Sequence, residues 1–132
     1  MSLRRLRPGE TLDLARGAVA VCIPVYGARE LFEQCLRSVV QHTGAGTVVL
    51  VADDASADSA IEAFTERVAA EPETAVELAY MRQPVNVGFV RNMNTAFAVT
   101  APADVVILNS DVVVPARWLE RLHAAALSLI HI

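Results

Sequence analysis

Four short apolar runs punctuate the chain: Ala18–Val25, Thr47–Asp53, Val76–Met81 and Val105–Leu108. Each is closed by Gly, Pro or a polar residue, and their length and β-branched content suit strands. Between them, apolar residues recur at helical spacing. Arg29–Gln41 carries Leu31, Cys35, Leu36, Val39 and Val40 on one face, and Gly44 and Gly46 stop it. A second helix starts at Asp58 or Ser59, where Ser59 and Glu62 match a capping box, and buries Ile61, Phe64 and Val68. A third, roughly Gly88–Thr100, turns Phe89, Met93, Ala96 and Phe97 inward and ends at Pro102. A fourth takes Pro115 in its first turn, runs through Leu127 and points Trp118, Leu119 and Leu122 at the core. Strand and helix alternate four times, which predicts a mostly parallel sheet with right-handed crossovers.

Length changes this picture only by setting a ceiling: 132 residues hold one domain and one core. Hydrophobic residues make up 54% and aromatic ones 5%, so the core is aliphatic, as suits a parallel sheet covered on both faces. A net charge of -4 excludes a nucleic-acid binder, which needs clustered basic residues against phosphate. The one basic cluster is Arg4, Arg5 and Arg7. It reads as a frayed, solvated arm over residues 1–17, with a membrane-surface or targeting role as the alternative. No apolar run approaches the ~18 residues that a transmembrane helix requires.

Cys22 and Cys35 fall on apolar positions without CxxC or Cys/His spacing, so both read as reduced core thiols. His42 suits the negative end of the first helix, and His123 and His131 are isolated. None of the three is assigned as a ligand.

The chemistry gathers at strand ends. Pro24-Val25-Tyr26, Asp53-Asp54-Ala55-Ser56, Asn86-Val87-Gly88-Phe89 with Asn94, and Asn109-Ser110-Asp111 all follow strands or lie in adjoining loops. In open α/β sheets the carboxyl ends of the strands meet at a crevice where ligands bind. Tyr26 can stack on a flat base or pack at its turn. Asp53 and Asp54 can accept a base N–H or order their own loop as an Asx-turn. The backbone N–H groups beginning the third helix can face an anion, with Arg91 one turn later in reach of phosphate, or simply solvated. Asn94, in mid-helix, is expected to tie neighbouring backbone together. Asp111 can hold a hard cation or serve as a turn residue.

These segments, in this order and covering roughly residues 18–123, resemble the nucleotide-sugar-binding half of the family 2 glycosyltransferases. The resemblance implies a Rossmann-like GT-A fold, a three-layer α/β/α arrangement around a mostly parallel sheet. It divides the chain into an arm (1–17), a nucleotide-sugar-binding subdomain (18–127) and a tail (128–132). Donor-contacting residues are then expected at Pro24, Val25, Tyr26, Asp53, Asp54, Asn86, Gly88, Arg91, Asn109, Ser110 and Asp111, with Asp54 on the base. Asp111 matches the last acid of the family's metal-binding Asp-x-Asp, so Mn or Mg is the expected cofactor. Asn109 replaces the first acid, as in members similar to rhamnosyltransferases, and an uncharged oxygen weakens the site.

The implied reaction transfers a sugar from a UDP- or dTDP-type donor to an acceptor hydroxyl with inversion. Its general base belongs to an acceptor-binding half that would follow residue 123, so no catalytic residue is assigned here. Glu120, the last acid, is a poor base on its helix. The apolar ending Ala124–Ile132 reads as a helix that has lost its covering, or as sequence introduced by truncation or frameshift, and predicts self-association. The expected location is the cytoplasm, with peripheral attachment to the inner membrane face open for a longer parent. The competing reading is a non-catalytic nucleotide or sugar-nucleotide binding module. A phosphoacceptor receiver-like domain is disfavoured, because its acid pair would not follow the second strand and this chain has no Lys.

Overall fold

A computed structural model describes residues 2–130, with side chains described through Ala126. Its elements are β1 (Arg4–Arg5), β2 (Val19–Val25), α1 (Arg29–His42), β3 (Thr47–Asp53), α2 (Ala60–Ala70), β4 (Glu77–Arg82), α3 (Phe89–Thr100), β5 (Asp104–Ile107) and α4 (Trp118–Ile130). All five strands pair in parallel, in the order β1-β4-β3-β2-β5. The mostly parallel α/β sheet expected from the alternation is therefore present.

Alternation along the central strands builds two cores. Val21, Ile23, Val49, Val51, Leu78 and Tyr80 face α1, α2 and Trp118 of α4. Cys22, Leu50, Ala52, Ala79 and Met81 face Met93, Ala96 and Val99 of α3, together with Leu12. A strand buried on both faces reads as a continuous apolar run, which is what β2 and β3 show. Both cysteines are free and buried, as expected.

The N-terminal segment is not frayed. Arg4 and Arg5 pair with Ala79 and Tyr80 of β4, Leu3 and Leu12 are buried, and the Leu12 N–H donates to the Val99 carbonyl at 2.9 Å. Arg5 donates to Glu62 at 2.7 Å and to Glu66 at 2.8 Å. Glu62 is thus spent on Arg5, and Ser59 makes no side-chain cap; Asp58 instead accepts from the Ala60 N–H at 2.9 Å.

Other expectations shift. The third helix buries Asn92, Met93, Ala96, Val99 and Thr100, leaving Phe89 and Phe97 exposed. Leu31 and Leu122 are exposed as well. β5 is an edge strand with Ile107 exposed, so its apolar run does not mark burial on both sides. Pro115 precedes α4 rather than opening it, and Arg117, at φ 62°, turns the chain into Trp118. The His131 and Ile132 positions lie outside the described residues, as do the side chains of residues 127–130 on which the expected apolar surface partly rests.

Candidate functional site

The sheet order decides where a ligand can sit. The chain lays β3 and β4 to one side of β2 and then places β5 on the other, so the strand order reverses beside β2. At such a switch point neighbouring loops diverge and leave a crevice at the carboxyl ends. There the protein has a cleft of about 550 Å³, lined by Pro24, Val25 and Tyr26 after β2, Asp54 after β3, Asn86 and Gly88 before α3, and Asn109, Ser110 and Asp111 after β5. Four segments far apart in sequence thus share one wall. Ala28, Leu31, Phe89 and Asn92 complete it.

Each wall is held by the chain's own hydrogen bonds. After β2, Gly27 (φ 66°) and Ala28 (φ 49°) turn the backbone through the left-handed region into α1. The Gly27 N–H donates to Ser56 Oγ at 2.9 Å, and the Ser56 N–H donates to Asp53 Oδ1 at 2.9 Å. Tyr26 projects outward, 64% exposed.

The two acids after β3 part company. Asp53 is buried; besides Ser56, its Oδ2 accepts from the Tyr80 hydroxyl at 2.6 Å and from Arg82 Nη1 at 3.2 Å. It does not line the cleft, so of its two expected roles the structure displays the ordering of its own loop. Burial, then the hydrogen bond to Asp53, push the Tyr80 hydroxyl pKa well up, and Tyr80 stays protonated as the donor. Asp54 does face the cleft, yet both of its oxygens are engaged: Oδ1 accepts from the Val87 N–H at 2.8 Å, and Oδ2 from the Gly88 N–H at 2.9 Å and Asn86 Nδ2 at 3.1 Å. The anion met by the amides that lead into α3 is the protein's own carboxylate.

Arg91 is exposed on α3 and is not part of the cleft wall, and Asn94 is exposed too. The backbone-tying role expected of Asn94 belongs to Asn92, whose Nδ2 donates to the Ala52 carbonyl at 2.9 Å and whose Oδ1 accepts from Gln83 Nε2 at 3.3 Å. Of the residues lining the cleft, Asn92, Ala28 and Leu31 were missed by sequence reasoning, whereas Phe89 closes the expected segment Asn86-Val87-Gly88-Phe89. A signal existed for Asn92: an Asn on the buried face of a helix needs a polar partner.

After β5 the chain is fastened to α1 and its C-cap, twice through main-chain atoms of the loop and once through a side chain of α4. Cys35 Sγ reaches the Asn109 carbonyl at 3.6 Å, the Val114 N–H donates to Ser38 Oγ at 3.0 Å, and Trp118 Nε1 donates to Thr43 Oγ1 at 3.0 Å. Burial, with lesser repulsion from Asp111, pushes the Cys35 thiol up to about 11. Among the described residues, the side chains of Asn109, Ser110 and Asp111 make no hydrogen bond within the protein. They stand open on the cleft.

Whether these side chains fit a divalent cation turns on their donors. Among the described residues no three His, Cys, Asp or Glu side chains converge on a metal position. Asp111 offers one charged oxygen and Asn109 and Ser110 neutral ones, a set that suits Mg or Mn completed by water and by phosphate oxygens of a bound nucleotide, not a cation caged by protein alone.

The family model "Glycosyl transferase family 2" matches residues 20–128. The chain belongs to glycosyltransferase family 2. A mannosyltransferase of this general architecture, PcManGT from Pyrobaculum calidifontis in complex with GDP-Man and Mn2+, superposes with a TM-score of 0.65 at 24% identity, over 83% of this chain and 33% of that one. TarS residues 1–349 from S. aureus gives a TM-score of 0.65 at 20% identity, over 80% of this chain and 31% of that one. At such identities the likeness concerns the fold. This family 2 chain spans about a third of the length of those two structures. Comparison with curated protein sequences finds no match. The Rossmann-like GT-A fold expected from the motifs is thereby shown, and no described helix is long and apolar enough to cross a membrane.

Proposed function

We propose that this chain forms the donor-binding part of an inverting glycosyltransferase and holds a nucleotide diphosphate sugar in the cleft beside β2. One observation carries the reading: the four motif segments converge on a single cleft at the strand-order reversal. Tyr26 and Phe89 offer exposed aromatic faces for a base, and Asn109, Ser110 and Asp111 provide free oxygens for ribose or a cation. Among the described residues the cleft is lined by two acids, Asp54 and Asp111, and by no Arg. A diphosphate therefore needs a cation between itself and this wall, and the Mn2+ in the PcManGT complex supports that arrangement for a family relative.

In the proposed reaction the acceptor oxygen attacks the anomeric carbon from the face opposite the diphosphate, the carbon–oxygen bond to the diphosphate breaks, and a general base takes the hydroxyl proton. A divalent cation, when bound, offsets charge on the leaving diphosphate. Asp54, already accepting three hydrogen bonds, is unsuited to the base role, and Glu120 is exposed on α4 outside the cleft. The base is assigned to an acceptor-binding part beyond this cleft. With Asp54 engaged by its loop and Asp111 assigned to the cation, neither cleft acid is left for the base, which favours, as second reading, a module that binds sugar nucleotide without turnover.

Calorimetric titration with UDP, dTDP and GDP, with and without Mn2+, tests the proposal. Saturable binding that strengthens with Mn2+ is expected, with UDP or dTDP preferred. Folded protein, checked by circular dichroism, that binds none of the three refutes it.

A further inference from the structure

We infer that Ser38 and Cys35, on the buried face of α1, are positioning residues for the turn that offers Asn109, Ser110 and Asp111 to a cation. The inference rests on the donor-cleft reading above, although the hydrogen bonds that carry it do not. The turn closes on itself through the Val112 N–H, which donates to the Asn109 carbonyl at 3.2 Å and leaves Ser110 and Asp111 at the corner. That closure fixes the shape of the turn but not its place over the cleft. Its place is set by α1. Cys35 Sγ meets the same Asn109 carbonyl at 3.6 Å, and Ser38 Oγ, three residues further along the helix, accepts from the Val114 N–H at 3.0 Å. The candidate cation ligands lie between these two holds.

Ser38 is oriented for this task. A hydroxyl has one proton and two lone pairs, and the Ser38 proton is spent on the Cys35 carbonyl of its own helix at 2.8 Å. The oxygen is left to accept, and the Val114 N–H is the donor that meets it. Ser38, Cys35 and Val114 are all buried, so water does not compete for these contacts. A hydroxyl among Cys35, Leu36 and Val39 adds nothing to apolar packing that Ala would not; what it adds is a grip on the loop. The site leans on that grip more than a two-acid site would. Asp111 brings the only charge on the turn, so affinity depends on that oxygen, its neutral neighbours and a diphosphate meeting around one ion. At its other end α1 starts beside the Tyr26 turn, with Leu31 in the cleft wall. One helix thus sets the distance between the wall proposed for the base and the turn proposed for the cation.

Ser38→Ala, Cys35→Ala, Asp111→Ala and a Ser38→Ala/Asp111→Ala double variant test the role. Mn2+ affinity is read by electron paramagnetic resonance of the unbound ion, at saturating UDP, dTDP or GDP, whichever binds the wild type. Exchange of the Val114 amide is followed by NMR. Ser38→Ala should speed that exchange and weaken Mn2+ about tenfold, the scale on which residues that orient metal ligands act. A role that is only structural would lower the urea midpoint and leave Mn2+ affinity alone. In the double variant, loss of Ser38 should cost less than about twofold beyond Asp111→Ala, because the positioned ligand is already gone. Wild-type Mn2+ affinity in folded Ser38→Ala, or a full and independent loss in the double variant, overturns the inference. Should Ser38→Ala not fold, Cys35→Ala decides: a weaker Mn2+ complex supports the inference and an unchanged one sinks it. A wild type that binds nucleotide without Mn2+ overturns it as well. Folded wild-type protein that binds none of the three nucleotides removes the donor-cleft reading and this role together, an outcome distinct from unaltered Mn2+ affinity in the variants, which removes this role alone.

Discussion

The ends of β3 and β5 face each other across the cleft, and both carry acids after an apolar strand. At β3, Asp53 and Asp54 are buried and each accepts three hydrogen bonds from the protein. At β5, the backbone is anchored to α1 while the side chains of Asn109 and Asp111 stand exposed. A buried carboxylate has to be satisfied from within, since leaving it unpaired costs several kcal/mol. An exposed one is satisfied by water and can trade that water for a ligand. One rim is therefore architecture and the other is available chemistry, although similar residue types build both.

The difference can be broken from either side. Asp53→Ala should have the largest effect, because it orphans the Tyr80 hydroxyl and the Ser56 N–H and leaves Arg82 without its buried partner. A loss of about 3 kcal/mol is expected in urea denaturation; a loss within about 0.5 kcal/mol would show that the β3 rim is not a structural element.

Alkaline pH has an intermediate effect that reaches beneath the β5 rim. Burial raises Cys35 from 9.0 to about 11 and Cys22 from 9.0 to about 12. The folded thiols keep protons that the unfolded chain releases near pH 9, so this stability is complete below pH 9 and is lost as pH climbs from 9 towards 11. The slope is at most about 1.4 kcal/mol per pH unit for each thiol. Cys35→Ala should flatten the midpoint-versus-pH curve in that window, and an unaltered slope would place the titrating group elsewhere.

Asp111→Ala should change stability least, by no more than about 0.5 kcal/mol. It should nevertheless weaken Mn2+-supported nucleotide binding by about tenfold or more, as expected for a metal-ligating carboxylate. Equal affinity in the variant, measured by calorimetry, would remove Asp111 from the cation site.

Most of the fold was legible because β2, β3 and their helices are stated locally: an apolar run, a turn residue, then helical spacing. What was hidden depended on distant partners. β1 is two exposed arginines whose pairing uses backbone groups, and so leaves no hydrophobic pattern to read. β5 has the same apolar run as a central strand, and only the sheet order reveals it as an edge. In α3 the faces led by Phe89 and by Asn92 share Met93 and Ala96. Choosing the apolar residue overlooked the Ala52 carbonyl that Asn92 has to satisfy. Within the cleft, the motif residues came together at Tyr26, Asp54, Gly88 and Asn109–Asp111. Asp53 did not, because adjacent residues point to opposite sides at a strand end and Arg82 and Tyr80 lie on its side.

The pairing of β1 with β4 also sets an order of events during synthesis. Arg4 and Arg5 leave the ribosome well before Ala79 and Tyr80, the residues they pair with, have been made. At about 5–20 residues per second, the arm waits on the order of several seconds with Leu3 and Leu12 uncovered. A strand translated early is thus paired only once β4 has been made, and Leu3 and Leu12 depend until then on whatever shields them.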